Sequence, residues 1–231
     1  MIRIRKSLDR GHHKEGWLES RHSFSFHNYH DPAHMGFRNL RVINEDHIAP
    51  DTGFGMHPHE DMEIITFVLS GRLQHRDDMG NVESIGPYEL QRLTAGRGIR
   101  HSETNPDKEK EVHLFQMWVL PQEQGLEPGY EIRRFPERKL DALTLLASPD
   151  GRDGSAVIRQ DVRLYYGALE SGCGLAIPLE RGRHGWLQLI RGRLVLSGKP
   201  LETGDGAAIS EEPQLRLQAE EASEFLLFDL H

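Results

Sequence analysis

Two pairs of metal-ligand side chains are written two residues apart in this chain: His57-Pro58-His59 and, further on, His101-Ser102-Glu103. Residues i and i+2 leave the same face of a strand, so each pair aims both of its ligand atoms into one space. If the two strands face each other, three imidazoles and one carboxylate converge on a point, which is a coordination shell for one divalent transition metal. Four protein ligands do not fill an octahedron. The open positions would take a substrate oxygen and O2 side by side. A carboxylate at the position of Ser102 would point to the opposite face, so the spacing suits Glu103. Nitrogen plus hard oxygen suits Fe(II) best, and Ni, Cu, Mn, Co or Zn also fit.

The elements that must carry these residues read as strands. Ile64–Leu69 is a β-branched and aromatic run ending at Ser70-Gly71, and Arg72–Asp77 alternates before a hairpin turn over Asp78–Asn81. Trp186–Ile190 and Leu194–Leu196 repeat the arrangement. Phe67-Val-Leu-Ser-Gly71-Arg-Leu73 matches Gln188-Leu-Ile-Arg-Gly192-Arg-Leu194 at an offset of 121 residues. Each half then closes on an apolar strand, His113–Leu120 and Glu224–Leu230. This self-similarity predicts two copies of one β unit. Many short strands with no long helical period predict a sandwich or barrel for each. The division is expected between residues 1–128 and 129–231. The segment from Pro121 to Pro149, rich in Pro, Gly and charge, reads as the connection. The second copy keeps the scaffold without the ligands: His184 stands where the first has Glu63, and AAISEEPQLRLQAEE after Gly206 holds no histidine. Its expected role is to bury a face that one small open barrel would leave wet.

Bulk properties narrow the class. With 231 residues, 37% hydrophobic content, 23 Gly and 12 Pro, the chain reads as globular and turn-rich. No apolar run approaches the roughly 20 residues that span a bilayer. The opening MIRIRKSLDRGHHKEGW lacks the apolar stretch of a signal peptide. A single cysteine, Cys173, cannot build a disulfide framework and reads as structural, so a cytoplasmic location is expected. The net charge is −8, and the basic residues are dispersed, which argues against direct nucleic-acid binding. Two halves that cover each other's sheets leave little need for a dimer, so a monomer is expected.

The ligand pairs sit in longer patterns. Gly53-Phe-Gly-Met-His57-Pro-His59, with Glu63 and then Gly71 after it, resembles the first signature motif of the cupin superfamily. Gly98-Ile-Arg-His101-Ser-Glu-Thr-Asn105 resembles the second, although Gly96 stands where that motif usually has Pro. The gap from Glu63 to Gly71 is also one residue longer than the commonest spacing. Thr94-Ala-Gly-Arg-Gly-Ile-Arg-His101-Ser-Glu103 is similar to the pirin branch of the cupins. So is the opening, where Trp17, His22, Phe24, Phe26 and Tyr29-His-Asp-Pro32 precede Gly36-Phe37 and Leu40-Arg-Val42. The resemblance is strong over about the first 120 residues and looser beyond.

What the resemblance implies is an all-β, two-domain bicupin: two β-barrel, jelly-roll cupin domains packed face to face, with the metal in the first. Its ligands would be His57, His59, His101 and Glu103. In other cupins the Glu matching Glu63 is the carboxylate ligand; the pirin pattern leaves Glu63 to orient a ligand imidazole. Bacterial pirin relatives are associated with quercetin 2,3-dioxygenase activity. A flavonol and O2 would then be the substrates, with ring cleavage, release of CO, and Glu103 as ligand and general base. Phe54, Met56, Met62, Phe115, Met117 and Trp118 would line a flat pocket. The alternative implied by the same family is a metal-binding regulator that acts on a protein partner as a transcriptional co-regulator or redox sensor. A sugar-isomerase reading needs phosphate-binding groups at Arg97 and Arg100, but Arg100 alternates away from His101. Reading Gly96-Arg-Gly98 as a phosphate loop fails for want of a third glycine and a helix. The other histidines, His12, His13, His22, His27, His30, His34, His47, His75, His113, His184 and His231, read as surface or packing residues.

Overall fold

The β-branched and aromatic runs separated by Gly, Asn and Asp turns fold as strands throughout. The computed structural model describes residues 1–135 and 139–231 and has no α-helix among them, only strands and two short 3-10 turns. No helix among the described residues is long and apolar enough to cross a membrane. In chain order the first strands are β1 (Ile2–Arg5), β2 (Gly11–Glu15), β3 (Leu18–His22), β4 (Leu40–Ile48), β5 (Gly53–His59) and β6 (Glu63–Ser70). Next come β7 (Leu73–Asp77), β8 (Val82–Ile85), β9 (Glu89–Thr94), β10 (Ile99–Thr104), β11 (Val112–Val119) and β12 (Gly129–Arg134). They are followed by β13 (Ala142–Ser148), β14 (Ala156–Val157), β15 (Val162–Leu169), β16 (Gly174–Pro178) and β17 (His184–Arg191). The last are β18 (Arg193–Leu196), β19 (Lys199–Glu202), β20 (Gly206–Ser210), β21 (Gln214–Ala219) and β22 (Ser223–Leu230).

The chain forms two compact units. One holds Gly11–Pro136 and Ala156–Gln160; the other holds Met1–Arg10, Glu137–Ser155 and Asp161–His231. Where the sequence suggests one division between 128 and 129, the structure exchanges short segments between the units. Backbone pairing is the reason. β1 pairs with β20, so the first residues belong with the C-terminal unit. Arg159 accepts the Gln122 amide at 2.8 Å and donates its own to Glu63 Oε2 at 3.1 Å, so residues 156–160 belong with the other. The stretch from Pro121 to Pro149 is also more than a connection. β12 extends a sheet through β9, and β13 pairs with β15.

The first unit has two antiparallel sheets, ordered β12-β9-β6-β11-β4-β3-β2 and β5-β10-β7-β8. The second repeats the pattern, with β1-β20-β17-β22-β15-β13 in one sheet and β16-β21-β18-β19 in the other. The repeated glycines Gly71 and Gly192 make the turns from β6 to β7 and from β17 to β18, both at positive φ. The all-β, two-domain architecture expected from the sequence is the one the chain adopts.

The cores differ in a way that places the chemistry. In the second unit one apolar cluster joins β17, β18, β21 and β22, and β21 contributes Leu215, Leu217 and Ala219 to it. β10, at the matching place in the first unit, has Ile99, His101 and Glu103 buried instead. There Ile48, Val68, Leu73 and Leu114 form one apolar cluster and Ile64, Leu93 and Ile99 another. Thr66 stands between Ile64 and Val68 on β6, and Gln116 between Leu114 and Trp118 on β11. A band of polar side chains therefore crosses an otherwise apolar interior.

Candidate metal centre

β5 and β10 are hydrogen-bonded neighbours, with His101 directly opposite His57 and Arg100 opposite Pro58. The two ligand pairs thus meet by adjacency within one sheet, not across the barrel. A register shift between His101 and Glu103 sets Glu103 against Phe54, the kind of irregularity that re-aims a side chain. Gly53 makes that close approach feasible. A Cβ there would collide with the Glu103 carbonyl oxygen and the Thr104 backbone.

Three imidazoles converge at this point. Ring centroids are 4.8 Å apart for His57 and His59, 4.5 Å for His57 and His101, and 4.9 Å for His59 and His101. One nitrogen from each lies within 4.8 Å of the others. His57 Nδ1 is 2.7 Å from the Gly55 carbonyl oxygen. A carbonyl only accepts, so this nitrogen carries the proton and Nε2 keeps its lone pair. His101 Nδ1 is 3.3 Å from His75 Nδ1, while His101 Nε2 is buried with no hydrogen-bond partner. Leaving such an atom unpaired is costly, and a metal ion is the partner its setting fits. Burial, followed by the nearby His101 and His57, pushes His59 down to about 4. Burial also lowers His101. Both are neutral near pH 7, the form that ligates.

Glu103 is gripped from three adjacent strands. Its Oε1 accepts Gln91 Nε2 at 3.2 Å and Thr66 Oγ1 at 3.4 Å, and its Oε2 accepts Gln116 Nε2 at 2.7 Å. Thr66 is the cross-strand partner of both Gln91 and Gln116, which is why the three act together. Burial pushes the Glu103 carboxyl up, but the imidazoles of His101 and His75 and the Gln116 bond outweigh it and hold it below its usual range. A buried carboxylate kept ionised beside three imidazoles suits a divalent cation.

His75, with His101 and Glu103, forms a second cluster of ligand-type atoms. Both its nitrogens are occupied, however: Nδ1 faces His101 and Nε2 is 3.0 Å from Asp77 Oδ2. Asp77 is fixed in turn by the backbone amides of Met79 and Asn81 at 3.0 and 2.9 Å. A third group is Glu45, His47 and His113, in which His113 Nε2 is 3.2 Å from Glu45 Oε1 while His47 Nδ1 is 3.2 Å from Glu111 Oε1. The His47 and His113 rings are stacked at 4.0 Å and 15°.

The cluster opens into a cavity of about 510 Å³. His57, His59 and Glu103 line it together with Phe26, Tyr29, Phe54 and Trp118. Trp118 meets Phe26 edge to face at 5.3 Å and His59 at 5.0 Å.

The pirin family model matches residues 2–119 of this chain. The chain belongs to the pirin family. A second model, described as the quercetinase C-terminal cupin domain, matches residues 145–230, so this pirin is a bicupin. The quercetin 2,3-dioxygenase of Escherichia coli strain K12 is 46% identical over 230 residues, covering 100% of this chain and 99% of that protein. A putative quercetin 2,3-dioxygenase of Pasteurella multocida is 45% identical and covers 100% of both. The crystal structure of Escherichia coli YhhW, at 46% identity, superposes with a TM-score of 0.97 over 100% of this chain and 98% of that one. The structure of bacterial pirin YhhW in complex with nickel(II) gives 0.96 at the same identity, over 100% and 99%.

The structure of this pirin brings His57, His59, His101 and Glu103 into one neighbourhood, but it places Glu63 elsewhere. On β6 Thr66 reaches Glu103 and Ile64 packs in the interior, so Glu63 alternates to the other face. There its Oε2 accepts the Arg159 amide, and it orients no imidazole. Of the expected pocket residues, Phe54 and Trp118 line the cavity. Met62 packs in an apolar cluster and Met56 is exposed. Phe115 and Met117 alternate with Gln116 and Trp118 and so lie buried on the opposite face of β11. Four histidines read as bland, His12, His13, His22 and His27, line the cavity. For His22 and His27 the signal is the density of His and aromatic residues between Trp17 and His34.

Proposed function

We propose that this pirin is a metal-dependent dioxygenase of flavonols, opening the heterocyclic ring of a quercetin-like substrate with O2 and releasing carbon monoxide. The observation that carries this reading is that His57, His59 and Glu103 line the same cavity as Phe26, Phe54 and Trp118. A flat polyphenol with a chelating edge is the ligand such a cavity fits. The 46% identity to a quercetin 2,3-dioxygenase along the whole chain supports the substrate class.

We take His57, His59, His101 and Glu103 as the ligands of one divalent transition ion. Fe(II) is preferred for the donor set, and the nickel(II) complex of YhhW supports nickel as an occupant. Bound there, the ion would supply Lewis acidity toward the flavonol hydroxyl and redox capacity toward O2. The side chains do the rest. The imidazoles of His101 and His75 and the Gln116 donor keep Glu103 ionised, the state in which it accepts the proton of the 3-hydroxyl, while Gln91 and Thr66 hold its other oxygen. Those donors also lower its basicity, so the hydroxyl it deprotonates must be an acidified one. Phe26 and Trp118 hold the ring system flat and keep water from it. The free, half-buried Cys173 suits a reducing compartment, which supports a cytoplasmic location for this pirin.

The test is turnover of quercetin in air by protein reconstituted with Fe(II), Ni(II) or Cu(II), following O2 uptake and CO release together. One CO per O2 is expected, with loss of both in His101→Ala. Tight metal binding with no flavonol consumed would overturn the reading and favour a metal-sensing interaction protein.

A further inference from the structure

Away from the metal ligands, the cavity wall carries four polar side chains that the chemistry above leaves unused: Ser20 and His22 on β3, Asn44 and Asp46 on β4. Each is 2 to 5% exposed, and all four line the cavity. Ser20 Oγ donates to Asp46 Oδ1, and His22 Nδ1 is 2.8 Å from Asn44 Oδ1. Polar groups buried this deeply cost stability relative to apolar ones, so four together in one wall call for a use.

Their position follows from register. Thr66, Gln116, Asn44 and His22 are successive cross-strand partners on β6, β11, β4 and β3. They form one row on the cavity face. The row starts at the donors that grip Glu103 and runs to His22. From β11 to β3 is two strand spacings, about 10 Å. Ser20 and Asp46 are partners of each other, one pleat along the same face. That separation is comparable to the distance from the chelating edge of a three-ring flavonol to its pendant ring. The space beside the cluster is aromatic: the Phe26 and Tyr29 rings lie 5.3 and 6.3 Å from His22.

We propose that Ser20, His22, Asn44 and Asp46 form a subsite for phenolic hydroxyls on the ring remote from the metal, making the substrate class a flavonol hydroxylated at both ends. This rests on the flavonol reading above. A phenol both donates and accepts. Asp46 accepts, Ser20 Oγ, whose proton goes to Asp46, accepts too, and the Asn44 amide nitrogen donates, so the cluster can meet two adjacent hydroxyls at once. A flavonol with a bare pendant ring leaves these groups against carbon, and a site built to bind hydroxyls discriminates against such an analogue.

The test compares quercetin, which has two hydroxyls on its pendant ring, with galangin, which has the same chelating core and none there. Dissociation constants come from quenching of tryptophan fluorescence in metal-free and nickel-loaded protein, and kcat/KM from the loaded enzyme. The wild type is expected to favour quercetin about tenfold or more in both measures. Asp46→Ala and Ser20→Ala should bring the ratio toward one, weakening quercetin binding and lowering its kcat/KM more than they do for galangin. A wild-type ratio near one, or a ratio that both variants leave unchanged, overturns the subsite. Should Asp46→Ala fail to fold, the wild-type ratio and Ser20→Ala still decide. Turnover of both flavonols alike would leave the dioxygenase reading standing and remove only the subsite; failure to bind or consume either would remove both.

Discussion

The Nδ1 atoms of His101 and His75 lie 3.3 Å apart, inside the sheet that carries the proposed metal ligands. One must donate and the other accept. The other nitrogen of His75 is 3.0 Å from Asp77 Oδ2. Burial pushes the Asp77 carboxyl up, but its bonds from His75 and Asn81 outweigh that and keep it low, so it is ionised and only accepts. The His75 proton is therefore on Nε2, and the proton between the two rings is on His101 Nδ1. That assignment leaves the lone pair on His101 Nε2, the buried atom without a hydrogen-bond partner. Asp77 and His75 thus set the tautomer of His101, a proposed ligand, without being ligands themselves in that proposal.

Removing this support should weaken metal binding without removing a ligand. His75→Ala is expected to lower nickel affinity about 10- to 100-fold, measured by competition with a chelator. His75→Asn, which can still accept from His101, should recover part of the loss. Wild-type affinity in His75→Ala would show that the relay does not orient His101.

The grip on Glu103 carries its own cost when broken. Gln116→Leu deprives a buried carboxylate of its 2.7 Å donor, which should destabilise the metal-free protein by about 1–3 kcal/mol. Urea unfolding measures it. Saturating nickel should return part of that loss, since the ion takes over the charge; an equal deficit with and without metal would argue that Glu103 does not face the ion.

Metal should also stabilise the fold by mass action. At a free concentration a hundred times its dissociation constant, nickel is expected to add about 2.7 kcal/mol to unfolding. His57→Ala, His59→Ala and His101→Ala should each abolish most of that increment in thermal melts. An increment that survives all three would place the stabilising ion elsewhere.

Glu63 offers a pH-dependent prediction away from the ligands. Burial raises its carboxyl above the ordinary value, against the lowering influence of Thr94 and the Arg159 amide. A raised folded value means that the stability linked to this group is complete below its unfolded value and is lost as pH rises through the folded one. Glu63→Gln keeps an acceptor for Arg159 and removes the charge. The variant should match the wild type near pH 4 and exceed it at pH 8. Melts across that range in which the wild type gained on the variant with rising pH would reverse the sign and refute the assignment.

How much of this was legible in the sequence depends on what kind of signal each residue leaves. His57, His59, His101 and Glu103 are written at strand spacing, so period and residue type alone point to a metal. Gln91, Thr66 and Gln116 are single polar residues inside apolar strands. Their meaning arises only when β9, β6 and β11 lie side by side in register, which no local pattern encodes. His75 is one of 14 histidines, and its place beside His101 comes from the pairing of Glu103 with His75 across β10 and β7. The pairing of β1 with β20 spans nearly the whole chain, so the N-terminal residues gave no hint of their unit. Phe115 and Met117 read from the sequence as pocket residues, whereas alternation with Gln116 and Trp118 puts them on the other face. The sequence repeat, by contrast, identified both units, because each preserves its turn glycine and its closing apolar strand.

The most direct measurement is a crystal structure of the nickel-loaded protein, with the ion located by anomalous scattering, alone and with quercetin. The expected result is one ion per chain at about 2.0–2.2 Å from nitrogens of His57, His59 and His101 and an oxygen of Glu103. With quercetin present, its chelating edge should fill open positions on the ion. An ion on Glu45, His47 and His113, one bound through His75, or a flavonol outside this cavity would contradict the assignment.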